Sequence, residues 1–256
     1  MRPTVTGFAY FLDIDGTLVD FADAPTAVRI DPALPRLVEA LYQSSGGAVA
    51  LITGRTLGDA DRLFPSRQLP IAGQHGHERR LADGRVSRHR VHPEALDAAR
   101  RVLRGVVERH PQLLLEDKGL SLALHYRRAP RLASYAHRSM RSLRATLGEQ
   151  YRVQHGKRVV ELVPAGRDKG AAIGAFMREK PFRGMRPVFI GDDVTDEYGF
   201  AMVNRLGGHA IKVGPGRTAA GWRFANVRAV LRWLERGTPA PKRVRHTDVS
   251  SQPRTE

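Results

Sequence analysis

GFAYFLDIDGT, residues 7–17, is the stretch whose reading decides the fold. Gly7 to Leu12 form a short apolar run that stops at Asp13, the pattern of a parallel strand buried on both faces that delivers its C-terminal end to a loop. Residues two apart in an extended chain share a face, so Asp13 and Asp15 project together while Ile14 turns back toward the core. Two close carboxylates repel unless a cation or a shared proton relieves them. Gly16 permits the sharp exit the chain must then make. A lone Asp-x-Asp in a loop also reads as a turn or a solvated pair; its place straight after a buried strand is what favours chemistry.

Outward from this stretch the same pattern recurs. Leu34, Leu37, Val38 and Leu41 have helical spacing, Gly46-Gly47 breaks the helix, and AVALI (48–52) reads as a second buried strand followed by Thr53-Gly54-Arg55. A short helix near 56–63, a strand near 69–72 and Gly73-Gln74-His75-Gly76 complete a βαβαβ half. After Pro164 the alternation resumes with a helix at 169–179, strand 187–191, a helix at 196–203, strand 210–214 and a helix at 226–235. The expected class is α/β, a doubly wound, mostly parallel Rossmann-like core. Between its halves the pattern is different: a helix over 92–109, strands at 113–116 and 120–127, a helix over 132–147 and a hairpin over 151–163. The alternation in LSLALHYR suggests an antiparallel sheet with one wet face. This gives a discontinuous core of 1–83 and 166–236, an inserted αββαββ cap of 84–165, and a tail, 237–256, expected to be disordered for want of large apolar residues.

Composition narrows the function classes. The 256 residues carry a net charge of +16 and no cysteine, which excludes disulfide scaffolds, thiol nucleophiles and Cys-ligated metals. The N-terminus does not read as a signal peptide and no apolar stretch reaches the length of a spanning helix, so a cytoplasmic protein with no membrane partner, and a monomer, is expected. Residues 79–160 hold 19 Lys+Arg against 7 Asp+Glu. That excess reads as a solvated arginine surface, as nucleic-acid binding, or as a field that draws anionic small molecules to a cleft.

Three further sites stand with Asp13 and Asp15. Gly191-Asp192-Asp193 and Thr195-Asp196-Glu197 follow an apolar strand directly, and Asp192 and Asp193 should lie opposite Asp13 in the sheet. Thr195 or Asp196 also reads as a helix cap. Oxygen ligands gathered without His or Cys suit Mg²⁺. Thr53 can donate its hydroxyl to a phosphate oxygen, or simply cap a helix. Lys169 opens a helix against the dipole preference, which points to an anion partner. Together these fit phosphoryl transfer to a carboxylate, in which a nucleophile is placed in line and charge on the transferring oxygens is neutralised.

DIDGTL, LITGR, GRDKG and GDDVTDEYGF together resemble the four motifs of the haloacid-dehalogenase-like phosphatases. GQHGHERR (73–80), LEDKGLSLALHYR (115–127), GKRVVELVPAGRDKGAAI (156–173) and GDDVTDEYGFAMVNRLGGHAIKVG (191–214) are similar to the trehalose-6-phosphate phosphatases within that superfamily, over nearly all of residues 7–235. The resemblance implies Asp13 as nucleophile and Asp15 as acid and then base. It implies Mg²⁺ held by Asp13, the Asp15 main-chain carbonyl and Asp192, with Asp193 and Asp196 behind them. It further implies Thr53 and Lys169 on the phosphoryl group, and Glu116, Lys118 and Glu161 on the distal glucose hydroxyls. Arg55, Gln74, His75, Arg127 and Arg158 are candidate neighbours of the substrate. The implied partner is a small sugar phosphate, and the implied reaction the last step of trehalose biosynthesis. Each cap residue also has an ordinary structural reading as a hairpin-end pair or an exposed strand residue. His125 and His155 read as structural. The competing functions are a phosphatase of another sugar phosphate and a nucleic-acid-binding module on an idle phosphatase fold; specific nucleic-acid binding is not expected.

Overall fold

The structure, a computed structural model, describes residues 7–21, 28, 30–66, 69–91 and 93–237. The apolar run that opens the sequence is strand β1 (Phe8–Leu12), at the middle of an eight-stranded sheet. It pairs in parallel with β2 (Val49–Ile52) on one side and β10 (Arg186–Gly191) on the other. Beyond β10 lie β11 (His209–Val213) and β12 (Trp222–Phe224), both parallel. Beyond β2 lies β3 (Ile71–Gly73), then the antiparallel hairpin β4 (Glu78–Arg80) and β5 (Val86–Arg88).

Alternation along β1 sends Tyr10 and Leu12 to one face and Ala9 and Phe11 to the other, and both faces are covered. Leu34, Val38 and Leu41 of α1 (Ala33–Ser44) and Val230 and Leu234 of α7 (Val227–Gly237) cover the first. Ala172, Ile173 and Phe176 of α5 (Lys169–Phe176) and Phe200 and Val203 of α6 (Glu197–Arg205) cover the second. That double covering is why the central strands read as unbroken apolar runs. The chain leaves β1 toward β2 on one side and returns to β10 on the other, so a topological switch point lies between β1 and β10, the place where open α/β sheets bind ligands.

The insertion folds as α3 (Pro93–Arg109), β6 (Leu114–Asp117), β7 (Leu122–His125), α4 (Ala133–Leu147), β8 (Tyr151–Gly156) and β9 (Val159–Pro164). Its four strands form a separate antiparallel sheet, β6-β7-β9-β8. Leu96, Leu103, Met140 and Leu143 of the two helices pack on Leu122, Leu124, Val160 and Leu162, which point to one face. The alternate residues form the other face. There Glu116, Ala123 and Glu161 stand in one register row across β6, β7 and β9.

Several details depart from the expectations. The β4–β5 hairpin and the edge strand β12 are additions to the expected elements, and the large sheet runs on to Arg88, past residue 83. Helix α5 ends at Phe176 rather than 179, where the Arg178 and Glu179 amides turn to the Ala175 and Phe176 carbonyls three residues back in place of the helical four-residue ladder. The face of the cap sheet expected to be wet lies instead over a cavity. The tail after Gly237 lies outside the described residues. Among those described, no helix is long and apolar enough to cross a membrane.

Candidate active site

Leu12 and Ile190 are register partners at the ends of β1 and β10, so Asp13 and Asp192 leave the sheet side by side. Gly16, with φ +82°, turns the chain in the left-handed region, and a Cβ there would lie 2.4 Å from the Asp192 carboxyl. Glycine is therefore required twice over, for the turn and for the approach of the second carboxylate. Asp196 completes the group: carboxylate oxygens of Asp13, Asp192 and Asp196 all lie within 4.8 Å of one another and all three residues are buried.

Lys169, the first residue of α5, faces this cluster, which explains its unfavourable place on the helix dipole. It donates to Asp13 at 2.8 Å and to Asp196 at 2.6 Å, with its side chain 3% exposed. Asp168 caps the same helix through the Ala171 amide at 2.7 Å and so fixes where Lys169 starts. Asp196 is tied at both oxygens, because the other one accepts from the Asp192 and Asp193 amides at 2.8 Å each. Asp193 caps the 3-10 turn in return. Lys212, buried on β11, donates to the Asp192 carbonyl at 2.5 Å. Lys157, from the two-residue turn between β8 and β9, reaches down to the Asp192 carboxylate.

Two ammoniums, the buried Lys169 and the exposed Lys157, do not offset three buried carboxylates. Burial holds the Asp13 carboxyl well above the usual range despite Lys169, and the neighbouring Asp196 and Asp192 add to the rise. Burial likewise pushes Asp192 up to about 6, against the pull of Lys157. Burial by itself lowers the Lys169 pKa, but Asp13 and Asp196 outweigh it and keep it above the ordinary lysine value. One Asp192 oxygen is buried with no hydrogen-bond partner. An all-oxygen cluster with surplus negative charge and an orphaned acceptor is a site that fits a hard divalent cation.

Asp15 takes a different direction. Arg55 donates to both of its oxygens at 2.7 Å, a bidentate clamp. Thr53 is fully buried, and its hydroxyl accepts from the Arg55 amide at 3.1 Å. Thr53 thus shapes the loop that presents Arg55 and does not itself line the cavity.

The roof of the cavity is the row on the cap sheet. Glu161 accepts from Lys118 at 2.5 Å and contacts His75 Nε2 at 3.1 Å, while Glu116 contacts His125 at 2.8 Å. Lys118 also donates to the Gly54 carbonyl of the core at 3.1 Å. Burial raises a carboxyl pKa, but Lys118 and His75 prevail at Glu161 and His125 and Lys118 prevail at Glu116, so both sit below the usual carboxylate range. The His75 ring lies 2.7 Å from where a Cβ on Gly54 would be, so only glycine admits it. Gln74 (φ 45°) and His75 (φ 58°) both hold left-handed backbone, a strain on the order of 1 kcal/mol for each non-glycine residue.

Floor and roof enclose a single cavity lined by Asp13, Asp15, Arg55, His75, Glu116, Lys118, Glu161, Lys169, Asp192 and Asp193, with Phe21, Arg127 and Lys157 at its edge. Two expected neighbours are elsewhere. Gln74 is buried and fully engaged in bonds to the core and the cap, and Arg158 is exposed outside the lining, with its backbone left-handed at φ 63°. In the two-residue turn it is Lys157 that faces the cavity. Sequence reasoning misses both Lys157 and Lys212. A lysine inside the apolar strand AIKVG is the available signal for Lys212; for Lys157 the adjacent Arg158 hides it.

A sequence model of the trehalose-phosphatase family matches residues 11–223. The chain is 43% identical over 249 residues to the trehalose-6-phosphate phosphatase of Escherichia coli (strain K12), covering 95% of this chain and 91% of that protein. It is 46% identical over 209 residues to a probable trehalose-phosphate phosphatase of Sinorhizobium fredii (strain NBRC 101917 / NGR234), covering 81% and 78%. The C-terminal domain of the C. albicans trehalose-6-phosphate phosphatase superposes with a TM-score of 0.80 over 89% of this chain and 91% of that one. At 21% identity that likeness is one of fold.

Proposed function

This chain belongs to the trehalose-phosphatase family, and on that premise we propose that it hydrolyses trehalose 6-phosphate to trehalose and phosphate, using Mg²⁺ and a phosphoryl group carried transiently on Asp13. The observation that carries this reading is the enclosure of both charge systems, the carboxylate cluster with Lys169 and the Glu116–Lys118–Glu161 row, in one cavity. The large sheet would do the phosphate chemistry and the inserted sheet would select the sugar.

In this mechanism the Asp13 carboxylate attacks phosphorus and the bond from phosphorus to the sugar oxygen breaks. Asp15, which has to carry a proton and release the Arg55 clamp that holds its ionised form, protonates the departing oxygen, and the resulting carboxylate can re-form the clamp. Ionised Asp15 then takes a proton from water as that water attacks phosphorus, which frees phosphate and regenerates Asp13. Lys169 holds Asp13 in line and faces the transferring oxygens. Asp13 and Asp192, with the Asp15 carbonyl, would hold Mg²⁺, while Asp196 orients the loop through its two amide bonds. Bound there, the cation would keep both carboxylates ionised and offset charge on the phosphoryl group. Glu116, Lys118 and Glu161 are paired with one another and with histidines, a lattice suited to sugar hydroxyls.

Phosphate release from trehalose 6-phosphate by wild-type and Asp13→Asn protein, with Mg²⁺ and with EDTA, tests the proposal. Release confined to wild type with the metal is expected, with Asp13→Asn retaining the circular dichroism of the fold. Turnover by Asp13→Asn within about tenfold of wild type would exclude Asp13 as nucleophile.

A further inference from the structure

We propose that Gln74 is a positioning residue, a latch that ties the motif loop of the core to the tip of the cap hairpin and so sets the Lys118–Glu161 pair over Asp13. The proposal deepens the sugar-phosphatase reading above and rests on it for the identity of the substrate.

Gln74 is 2% exposed and touches no part of the cavity, yet its polar groups are all in use. Its amide N–H donates to the Arg55 carbonyl at 2.8 Å, and its carbonyl accepts from the His77 amide at 3.2 Å. The side-chain nitrogen donates to the Lys118 carbonyl at 2.9 Å and to Glu78 at 3.2 Å, and the side-chain oxygen accepts from the Ser121 hydroxyl at 3.0 Å. Lys118 and Ser121 close the β6–β7 turn on each other, with the Lys118 amide donating to the Ser121 carbonyl at 3.0 Å. One primary amide therefore grips both ends of the cap turn, donor to acceptor and acceptor to donor. No other side chain of this length offers both, since a glutamate here would set its oxygen against the Lys118 carbonyl and the Glu78 carboxylate.

The backbone shows why the grip matters. Gln74, His75 and Gly76 run through left-handed conformation in succession, at φ 45°, 58° and 99°, and strain of that kind persists only where the surroundings over-determine it. The turn is pinned on the core side to Arg55, which clamps Asp15, and on the cap side to Lys118, whose ammonium meets Glu161. His75 carries the second contact to Glu161 from the next position in the chain. A tilt of the cap sheet thus has to break the Gln74 bonds before the sugar-facing row moves relative to Asp13.

Ser121→Ala, Gln74→Leu and the double variant test the latch, with trehalose 6-phosphate and phenyl phosphate as substrates. Each single change should raise KM for the disaccharide phosphate about tenfold, with kcat affected less. The double variant should be no worse than the poorer single one, because both remove the same contact. Ser121→Thr, which keeps the hydroxyl, should restore KM, and phenyl phosphate turnover by Ser121→Ala should stay within about threefold of wild type. Additive effects, equal losses on both substrates, or an unchanged KM would overturn the proposal. Amide hydrogen exchange gives a readout free of substrate: both variants should exchange faster over 114–125 and 157–163 while β1 and β10 keep their protection. If wild type fails to cleave the disaccharide phosphate, the substrate reading falls, and unchanged protection over 114–125 in the variants would then sink the latch separately.

Discussion

The floor and the roof of the cavity handle their carboxylates differently. On the floor, three buried carboxylates face the ammoniums of Lys169 and the exposed Lys157, and an Asp192 oxygen is left without a partner. On the roof, Glu161 pairs with Lys118 and His75, and Glu116 with His125. A surface left out of balance is prepared to take up charged species, here a cation and a phosphoryl group. A surface whose carboxylates are each already hydrogen-bonded, Glu161 to Lys118 and His75 and Glu116 to His125, is prepared to read neutral hydroxyls. The two surfaces come from separate sheets, so the division of labour can be broken one side at a time.

The largest effect should follow Lys169→Met, which leaves Asp13 and Asp196 without their counter-charge. Turnover of disaccharide and aryl phosphates alike should fall by more than about a thousandfold, and the unfolding free energy by about 3–5 kcal/mol in urea titrations without metal. Undiminished stability would mean that the carboxylates are already neutral in the fold. On the roof, Glu161→Ala should lower kcat/KM for trehalose 6-phosphate by about a hundredfold while phenyl phosphate changes less than about threefold. Parallel losses on both substrates would erase the distinction between the surfaces.

A smaller effect tests the joint between them. His77, buried beside the left-handed turn, has its pKa lowered to about 3 by burial, with His89, His75, Arg152 and Arg167 adding to the shift. The folded state therefore leaves it neutral while the unfolded chain binds a proton below 6.5. Stability should fall as pH drops from 6.5 toward 3, and His77→Leu should flatten that slope by up to one proton; a slope unchanged in the variant would place the titration elsewhere. The smallest effect concerns the basic cap surface. If it draws the dianionic substrate in, kcat/KM should fall about two- to threefold between low and physiological salt. A flat response would leave the excess of arginine as a solvated surface.

The parts legible in the sequence are those that local pattern decides. A buried strand ending in an acidic residue announces both the strand and the site, so Asp13, Asp192 and the doubly wound core can be read from the order of residues alone. Lys169 is legible because it contradicts a helix-end preference, a conflict that Asp13 and Asp196 resolve in space. The β4–β5 hairpin carries a faint signal, Asp83-Gly84 between short strands, where Gly84 has φ +83°. Strand β12 gives none, since WRF sits at an exposed edge where no buried run is needed. The place of Lys157 rather than Arg158 over the cavity depends on the geometry of a two-residue turn, which two adjacent basic residues do not encode. Gln74 reads as a substrate neighbour and is a buried bridge for a similar reason: two consecutive non-glycine residues in left-handed conformation leave no mark in composition or periodicity.

The most direct test is a comparison of kcat/KM, with saturating Mg²⁺, for trehalose 6-phosphate, sucrose 6-phosphate and glucose 6-phosphate. The hydrogen-bonded roof over a floor with a partnerless carboxylate oxygen predicts that trehalose 6-phosphate is preferred by at least about a hundredfold over glucose 6-phosphate, which lacks the second ring. Equal turnover of the two would contradict it, since the phosphate end alone would then decide the substrate and the Glu116–Lys118–Glu161 row would have no part in selection.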